Sequence, residues 1–292
     1  DLNLNVEPQP SHRTDKQDFI DAVEKAKHFV RIGDVFQVVI SQRFDIEANA
    51  SALDIYRVLR ALNPSPYMYL LNFGDQKGDF SVVGSSPEAL VSVVGGKAVT
   101  HPIAGSRPRG SSNDIDQANE ASLLADNKEK SEHLMLVDLA RNDLLKVCIP
   151  ETVTVTEFMQ VHRFSHIMHL VSTVEGTVAP DSTPIDVFRA TFPAGTLSGA
   201  PKPRALEIID ELETSNRGIF GGVVGYFDFA GNADLAIAIR TAYIRDGKAH
   251  VQAGAGIVLD SVPESEYLET LAKASAPLRA IAAANAMTRR SN

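Results

Sequence analysis

Two dipeptides, Gly95-Gly96 and Asp246-Gly247, constrain this 292-residue chain more than any other feature. Each lies between two runs with strand character: 89–94 and 97–103 in the first case, 234–245 and 248–259 in the second. A connection of two residues can join only antiparallel neighbours, and glycine at such a turn supplies the positive φ that a hairpin needs. Further strands are expected at 35–44, 67–73, 80–84, 152–161, 167–174 and 221–229. Helices are expected at 15–32, 52–62, 118–145, 184–191, 202–212 and 262–284. In the first of these, Phe19, Ile20, Val23, Ala26 and Val30 recur at helical spacing. Helices and strands are interspersed but hairpins dominate, which predicts an α+β fold rather than a parallel doubly wound sheet.

Residues 1–14 read as an extended lead-in, 15–285 as one domain and 286–292 as a frayed tail. The chain starts without Met, which points to an upstream portion, and its first residues carry no signal-peptide pattern. A net charge of −9 argues against nucleic acid or an anionic membrane surface as a partner. No apolar run approaches the length of a bilayer span. The single cysteine, Cys148, excludes an internal disulfide framework and fits a reducing, cytoplasmic setting.

The polar residues with chemical potential are scattered through this pattern. Glu266, Glu269 and Lys273 share one helical face, and Glu129 and Glu132 repeat the three-residue spacing far upstream. Two helices that each offer two carboxylates can hold a divalent cation such as Mg²⁺, though solvated helix faces show the same spacing. Gln37 interrupts a buried strand, either tied up in the core or pointed into a cavity. His166 and His169 lie on the 167–174 strand or at its start, where a satisfied core histidine is the commoner case. Residues 105–110 read as a basic loop, 111–117 as a polar linker, and the 193–201 loop places Thr196 and Ser198 at a helix start. On the 234–245 strand, Ala236, Ala238, Arg240 and Ala242 share a face. Arg240 there suits either bidentate capture of a carboxylate or a cross-strand ion pair. Ala253-Gly254-Ala255-Gly256 marks close approach by a ligand or another backbone. Ser261 with Glu264 predicts a capping box for the last helix. Residue chemistry alone thus describes a Mg²⁺-dependent enzyme acting on a small carboxylate compound.

Longer runs carry more. GDVFQVVISQRF, NPSPYMYLL, SSPEALV, HPIAGSRPRG, SEHLMLVDLARNDL, HRFSHIMHLVSTVEG, GTLSGAPK, RGIFGGVVGYFDF, AIAIRTA, VQAGAGIVLDSVPESE and ETLAKA occur in this order between residues 15 and 283. Together they resemble the chorismate-utilising enzymes, and most closely the synthase subunits of anthranilate synthases. The resemblance implies two large antiparallel sheets packed as a sandwich with helices outside. It implies Mg²⁺ bound by Glu132 and Glu269, with Glu129 and Glu266 in support. Chorismate would be held by Arg240, Ala253, Gly254, Ala255, Gly256 and Lys273, in a pocket lined by Gly105, Ser106, Thr196 and Phe220, the last replacing a common family Tyr. Glu88 takes the position of the general acid for the C4 hydroxyl, and His169 that of the histidine tied to pyruvate elimination. Relatives that add water carry Lys where this chain has Gln37, and relatives making aminodeoxychorismate typically carry PIKG where it has Ala104. Both differences point to ammonia, supplied by a glutamine amidotransferase subunit, as the nucleophile. Alternatives are an aminodeoxychorismate or aminodeoxyisochorismate synthase, or a non-catalytic module. Asn63, Pro64, Ser65, Pro66, Tyr67 and Met68 match part of the family's tryptophan feedback pocket.

Overall fold

A computed structural model describes residues 3–163 and 167–287. His166 and the tail beyond Met287 lie outside the described residues. The chain opens with β1 (Ser11–His12), α1 (Lys16–Arg31), β2 (Gln37–Glu47), α2 (Ala52–Leu62), β3 (Tyr67–Asp75) and β4 (Gly78–Ser86). It continues through β5 (Ala89–Val94), β6 (Lys97–Thr100), β7 (Ile103–Pro108), α3 (Asn113–Ala125), α4 (Asn127–Leu145), β8 (Thr154–Arg163), β9 (Ile167–Thr177) and α5 (Pro184–Thr191). The remainder is β10 (Gly199–Ala200), α6 (Lys202–Leu212), β11 (Val223–Phe227), β12 (Ala233–Ile237), β13 (Thr241–Arg245), β14 (Lys248–Ile257) and α7 (Pro263–Asn285). No helix among the described residues is long and apolar enough to cross a membrane.

The fold is α+β with two antiparallel sheets, and the chain divides into two compact units. The first combines the stretch up to Pro87 with Thr196–Val223 and everything from Ile237 on. Its sheet runs β1-β2-β14-β13-β4-β3, with β10 also on β2. The long β2–β14 pairing sets Val39 opposite Gly256 and Ser41 opposite Gly254. Alternate residues of these strands, Phe44, Val251 and Ala253, turn toward α2 and α7 and close one apolar core with Ile55, Leu59, Leu278 and Ile281. At the other end Val38, Ile40, Ala255 and Ile257 pack with Phe19 and Val23 of α1 and Ile208 of α6. At ~25 cal/mol per Å² of apolar surface removed from water, side chains of this size each contribute roughly 1.5–3 kcal/mol.

The second unit is Glu88–Gly195 with Val224–Ala236. Its sheet runs β11-β12-β5-β6-β9-β7, with β8 on the path's β9. Both signal dipeptides make the expected turns: Gly95 and Gly96, like Asp246 and Gly247, all have φ between 51° and 77°. Two left-handed residues in succession match the twist of the flanking strands.

Several expectations are corrected. The 118–145 helix is two helices, because Asp126 leaves helical geometry (ψ 107°) and its Oδ1 accepts from the N–H of Lys128 and Glu129, capping α4. The 111–117 linker largely belongs to α3, which Ser112 caps. Much of the basic loop is strand β7, paired with β9. Ser261 makes no capping box: Val262 is the N-cap, and the Ser261 hydroxyl accepts instead from the N–H of Val258. The 234–245 strand breaks into β12 and β13, which belong to different sheets. Arg240 lies in the break with φ 51°, so Ala236, Ala238, Arg240 and Ala242 do not share one strand face. The lead-in carries β1, which pairs Ser11 with Asp45 and His12 with Phe44.

Candidate active site

In the first unit the predicted residues gather along β2 and β14. Gln37 opens β2, is 3% exposed, and its Oε1 has no hydrogen-bond partner. Opposite it sits β10, and the approach is so close that only glycine fits. Gly199 has φ +135°, and a Cβ there would stand 2.1 Å from the Gln37 carbonyl oxygen. The Ser198 carbonyl accepts from Val39 N–H at 2.9 Å, which seats the turn carrying Thr196 on the same strand. Gly254 is constrained in the same way. Its missing side chain would meet Val39 Cγ1 at 3.0 Å and the Ile40 carbonyl at 3.1 Å, so the close approach is to a neighbouring strand. Ala253 and Ala255 turn their side chains into the helix-side core.

The helix α7 supplies the acidic stripe. Lys273 Nζ donates to the Gly254 carbonyl at 3.0 Å and pairs with Glu269 Oε1 at 2.7 Å, the four-residue spacing expected on one helical face. Glu266 is buried, whereas the Glu269 side chain is 47% exposed. The segment from Asn63 to Met68 leads α2 into β3. Asn63 Nδ2 donates to Ser85 Oγ, and Tyr67 and Met68 pair with Ser86 and Ser85. Pro64 and Pro66 are exposed and Ser65 is half-buried.

Sequence reasoning missed one organising pair here. Arg217 donates bidentately to Glu213, to the Leu197 carbonyl and to the Val39 carbonyl. Glu213 in turn accepts from both the N–H and the hydroxyl of Ser41. This ion pair ties the Thr196 turn, β2 and the loop of Phe220, whose ring faces the guanidinium at 5.4 Å. The four-residue spacing of Glu213 and Arg217 was the available signal. A cavity of about 460 Å³ opens beside it, between Phe220, Thr241 and Gln252.

In the second unit three predicted residues meet. His169 Nδ1 lies 3.0 Å from the Gly105 carbonyl, across the β7–β9 pairing that sets Ser106 opposite His169. A carbonyl can only accept, so Nδ1 carries the proton and Nε2 is the basic nitrogen of the neutral ring. Gly105 has φ +71°, and a Cβ there would lie 3.1 Å from Glu129 Oε2. Its bareness lets the first glutamate of α4 settle against β7. Arg107 stands 3.7 Å from Glu129 Oε1 and pairs with Asp126 at 2.8 Å. Glu132 follows one turn later, half-buried. Glu88, also half-buried, directly precedes β5. Among the described residues no group of three or more His, Cys, Asp or Glu side chains is assembled as a metal cage.

Two antiparallel sheets of this strand order in an α+β chain define the class of fold. The profile of chorismate binding enzymes matches residues 4–279, and the chain belongs to that family. Anthranilate synthase component 1 of Arthrobacter globiformis is 60% identical over 285 residues, covering 97% of this chain and 54% of the relative. The namesake from Mycolicibacterium smegmatis is 58% identical over 95% of this chain and 54% of its own length. The chain therefore spans about half the length of these relatives. Among solved structures, anthranilate synthase component I from Streptococcus pneumoniae superposes with a TM-score of 0.86 at 45% identity, covering 94% of this chain and 61% of that one. A putative 2,3-dihydroxybenzoate-specific isochorismate synthase from Bacillus anthracis gives 0.85 at 27% identity, covering 97% and 76%.

Proposed function

We propose that this chain is the catalytic part of an anthranilate synthase, converting chorismate and ammonia to anthranilate and pyruvate with Mg²⁺. The fold alone does not choose this reaction, because an isochorismate synthase shares it with nearly the same TM-score. The observation that carries the choice is Gln37. An amide has no basic nitrogen and cannot activate water, whereas ammonia arrives with a nucleophilic lone pair. The 60% identity to an anthranilate synthase component 1 supports the same reading.

In this reading Arg240, the backbone of Gly254 to Gly256 and Lys273 bind the substrate carboxylates, with Gly105, Ser106, Thr196 and Phe220 around the ring. Glu132 and Glu269 would hold Mg²⁺, with Glu129 and Glu266 in support. All four offer the carboxylate oxygen a hard ion requires, and a Mg²⁺ site does not need an all-protein cage. Bound there, the ion would offset the charge of the ring carboxylate. Glu88 gives a proton to the departing C4 hydroxyl as ammonia bonds to C2, and water is released. His169, its Nδ1–H held by Gly105, takes the C2 proton at Nε2. Enolpyruvate then leaves C3, becomes pyruvate, and the ring is aromatic.

A glutamine amidotransferase subunit would supply the ammonia, and Asn63 to Met68 would form part of a tryptophan feedback pocket. The test is direct. Chorismate, Mg²⁺ and ammonium should yield the blue fluorescence of anthranilate and one pyruvate each. Glu269→Gln should abolish that turnover with the fold intact, and Gln37→Lys should divert product toward water addition. A product that keeps its enolpyruvyl group would instead identify an aminodeoxychorismate-type synthase. Tight tryptophan binding without turnover would identify a non-catalytic module.

A further inference from the structure

We propose that two buried hydrogen bonds, His133 to Ser172 and Gln42 to Thr270, are positioning devices that set the roll of the two glutamate helices. Each lies within one unit and immediately follows the second glutamate of its stripe: His133 follows Glu132, and Thr270 follows Glu269. The inference rests on the reading of those glutamates as Mg²⁺ ligands.

In the second unit His133 and Ser172 are both 0% exposed, and His133 Nε2 lies 2.6 Å from Ser172 Oγ. Ser172 is a junction. Its hydroxyl accepts from Met159 N–H at 2.9 Å, where β8 bulges and φ is 51°, and its own N–H donates to the Pro102 carbonyl just before β7. The bond therefore ties α4 to the strands that carry His169 and Gly105. In the first unit Thr270 is 0% exposed and Gln42 1%. Gln42 Nε2 donates to Thr270 Oγ1 at 2.7 Å, and the threonine hydroxyl donates to the Tyr267 carbonyl. This ties α7 to β2.

Stability does not explain these pairs. Each keeps one buried atom without a partner, Nδ1 of His133 and Oε1 of Gln42. Such an atom is destabilising, and an apolar residue in place of His133 or Gln42 would avoid it. What apolar packing lacks is direction: it constrains the roll of a helix about its own axis only through shape, whereas a hydrogen bond needs its donor aimed at its acceptor. For a side-chain tip roughly 5–6 Å from the helix axis, a roll of about 20° is a shift of about 2 Å. That is comparable to a whole Mg–O distance of about 2.0–2.1 Å in a site that demands near-octahedral geometry. A hydrogen bond one residue beyond the glutamate removes that freedom where it matters.

The experiment compares Thr270→Val and Ser172→Ala with wild type, reading Mn²⁺ binding by loss of the free-ion electron paramagnetic resonance signal and stability by urea unfolding. Mn²⁺ takes the same oxygen donors. We expect the dissociation constant to rise by about tenfold or more, as when outer partners of a metal site are removed. Thr270→Val leaves the buried Gln42 Nε2 without its acceptor and should lower the urea midpoint while the protein stays folded in buffer, where binding is read, and Thr270→Ser should restore both binding and midpoint. Variants that bind Mn²⁺ like wild type overturn the positioning role alone, as does a loss that merely tracks unfolding. Wild type that binds no Mn²⁺ overturns the metal reading itself and this inference with it. The two variants lie in different units, so a failure of Ser172→Ala to fold leaves Thr270→Val to decide.

Discussion

Glycine at 199 illustrates how tightly one residue can be specified. A methyl group 2.1 Å from a carbonyl oxygen, on a backbone at φ +135°, is tolerated only if β10 leaves β2. Gly199→Ala should therefore lower stability by more than about 2 kcal/mol, visible in the urea midpoint. An unchanged midpoint would mean that β10 can move away from β2 at little cost. A second prediction concerns Asp116. Hydrogen bonds from the Arg109 guanidinium and from Gly110 N–H hold its carboxyl down at about 2, against an ordinary value of 3.8. A depressed acid stabilises the fold above its unfolded pKa, and that contribution fades as pH falls from 3.8 through about 2. Asp116→Asn should remove this part of the acid sensitivity. Equal slopes of urea midpoint against pH in both proteins across that window would refute it. The sequence marked the glutamate stripes but could not rank their members: Glu266 is the buried one of its pair, although Glu269 has the apolar neighbours in sequence. Burial on a helix follows the face turned to the sheet, not the identity of adjacent residues.

The elements show where local signals suffice and where they mislead. Helix α2 starts where Ser51 accepts from Asp54 N–H, and α5 begins with a full capping box between Thr183 and Asp186. The break between α3 and α4 follows the same rule, since Asp is a strong N-cap, but an unbroken helical pattern hid it. Asp126→Ala should cost about 1 kcal/mol for the lost cap, plus a smaller amount for the partly exposed pair with Arg107. Chemical denaturation measures the sum, and a cost near zero would show the helices can fuse. The division of β12 from β13 is of another kind. Ala238 N–H donates to the Gly222 carbonyl and Gly221 N–H to the Ala238 carbonyl. Those partners are remote in sequence and leave no trace in the β pattern of residues 234–245.

At the scale of the whole molecule, the only cysteine is a natural probe. Cys148 is 4% exposed, and burial pushes its thiol pKa up. Thiolate is the reactive form, so a disulfide reagent should label the folded protein only as fast as it opens, and stoichiometrically in urea. Labelling of the native protein at the rate of a free thiol would place Cys148 outside the core. The chain spans about half its relatives' length, yet each unit builds its own sheet. By itself the sequence determined the α+β class, the hairpins and most helices, because turn chirality and side-chain periodicity are properties of neighbouring residues. It also supplied the residue types of the proposed site. Only the tertiary structure decided that Gly105 makes room for Glu129, that Arg217 and Glu213 bind the Thr196 turn to β2, and that His133 and Thr270 are held from strands far away. Those facts depend on distances between segments separated by tens to hundreds of residues, and a linear pattern contains no term for them.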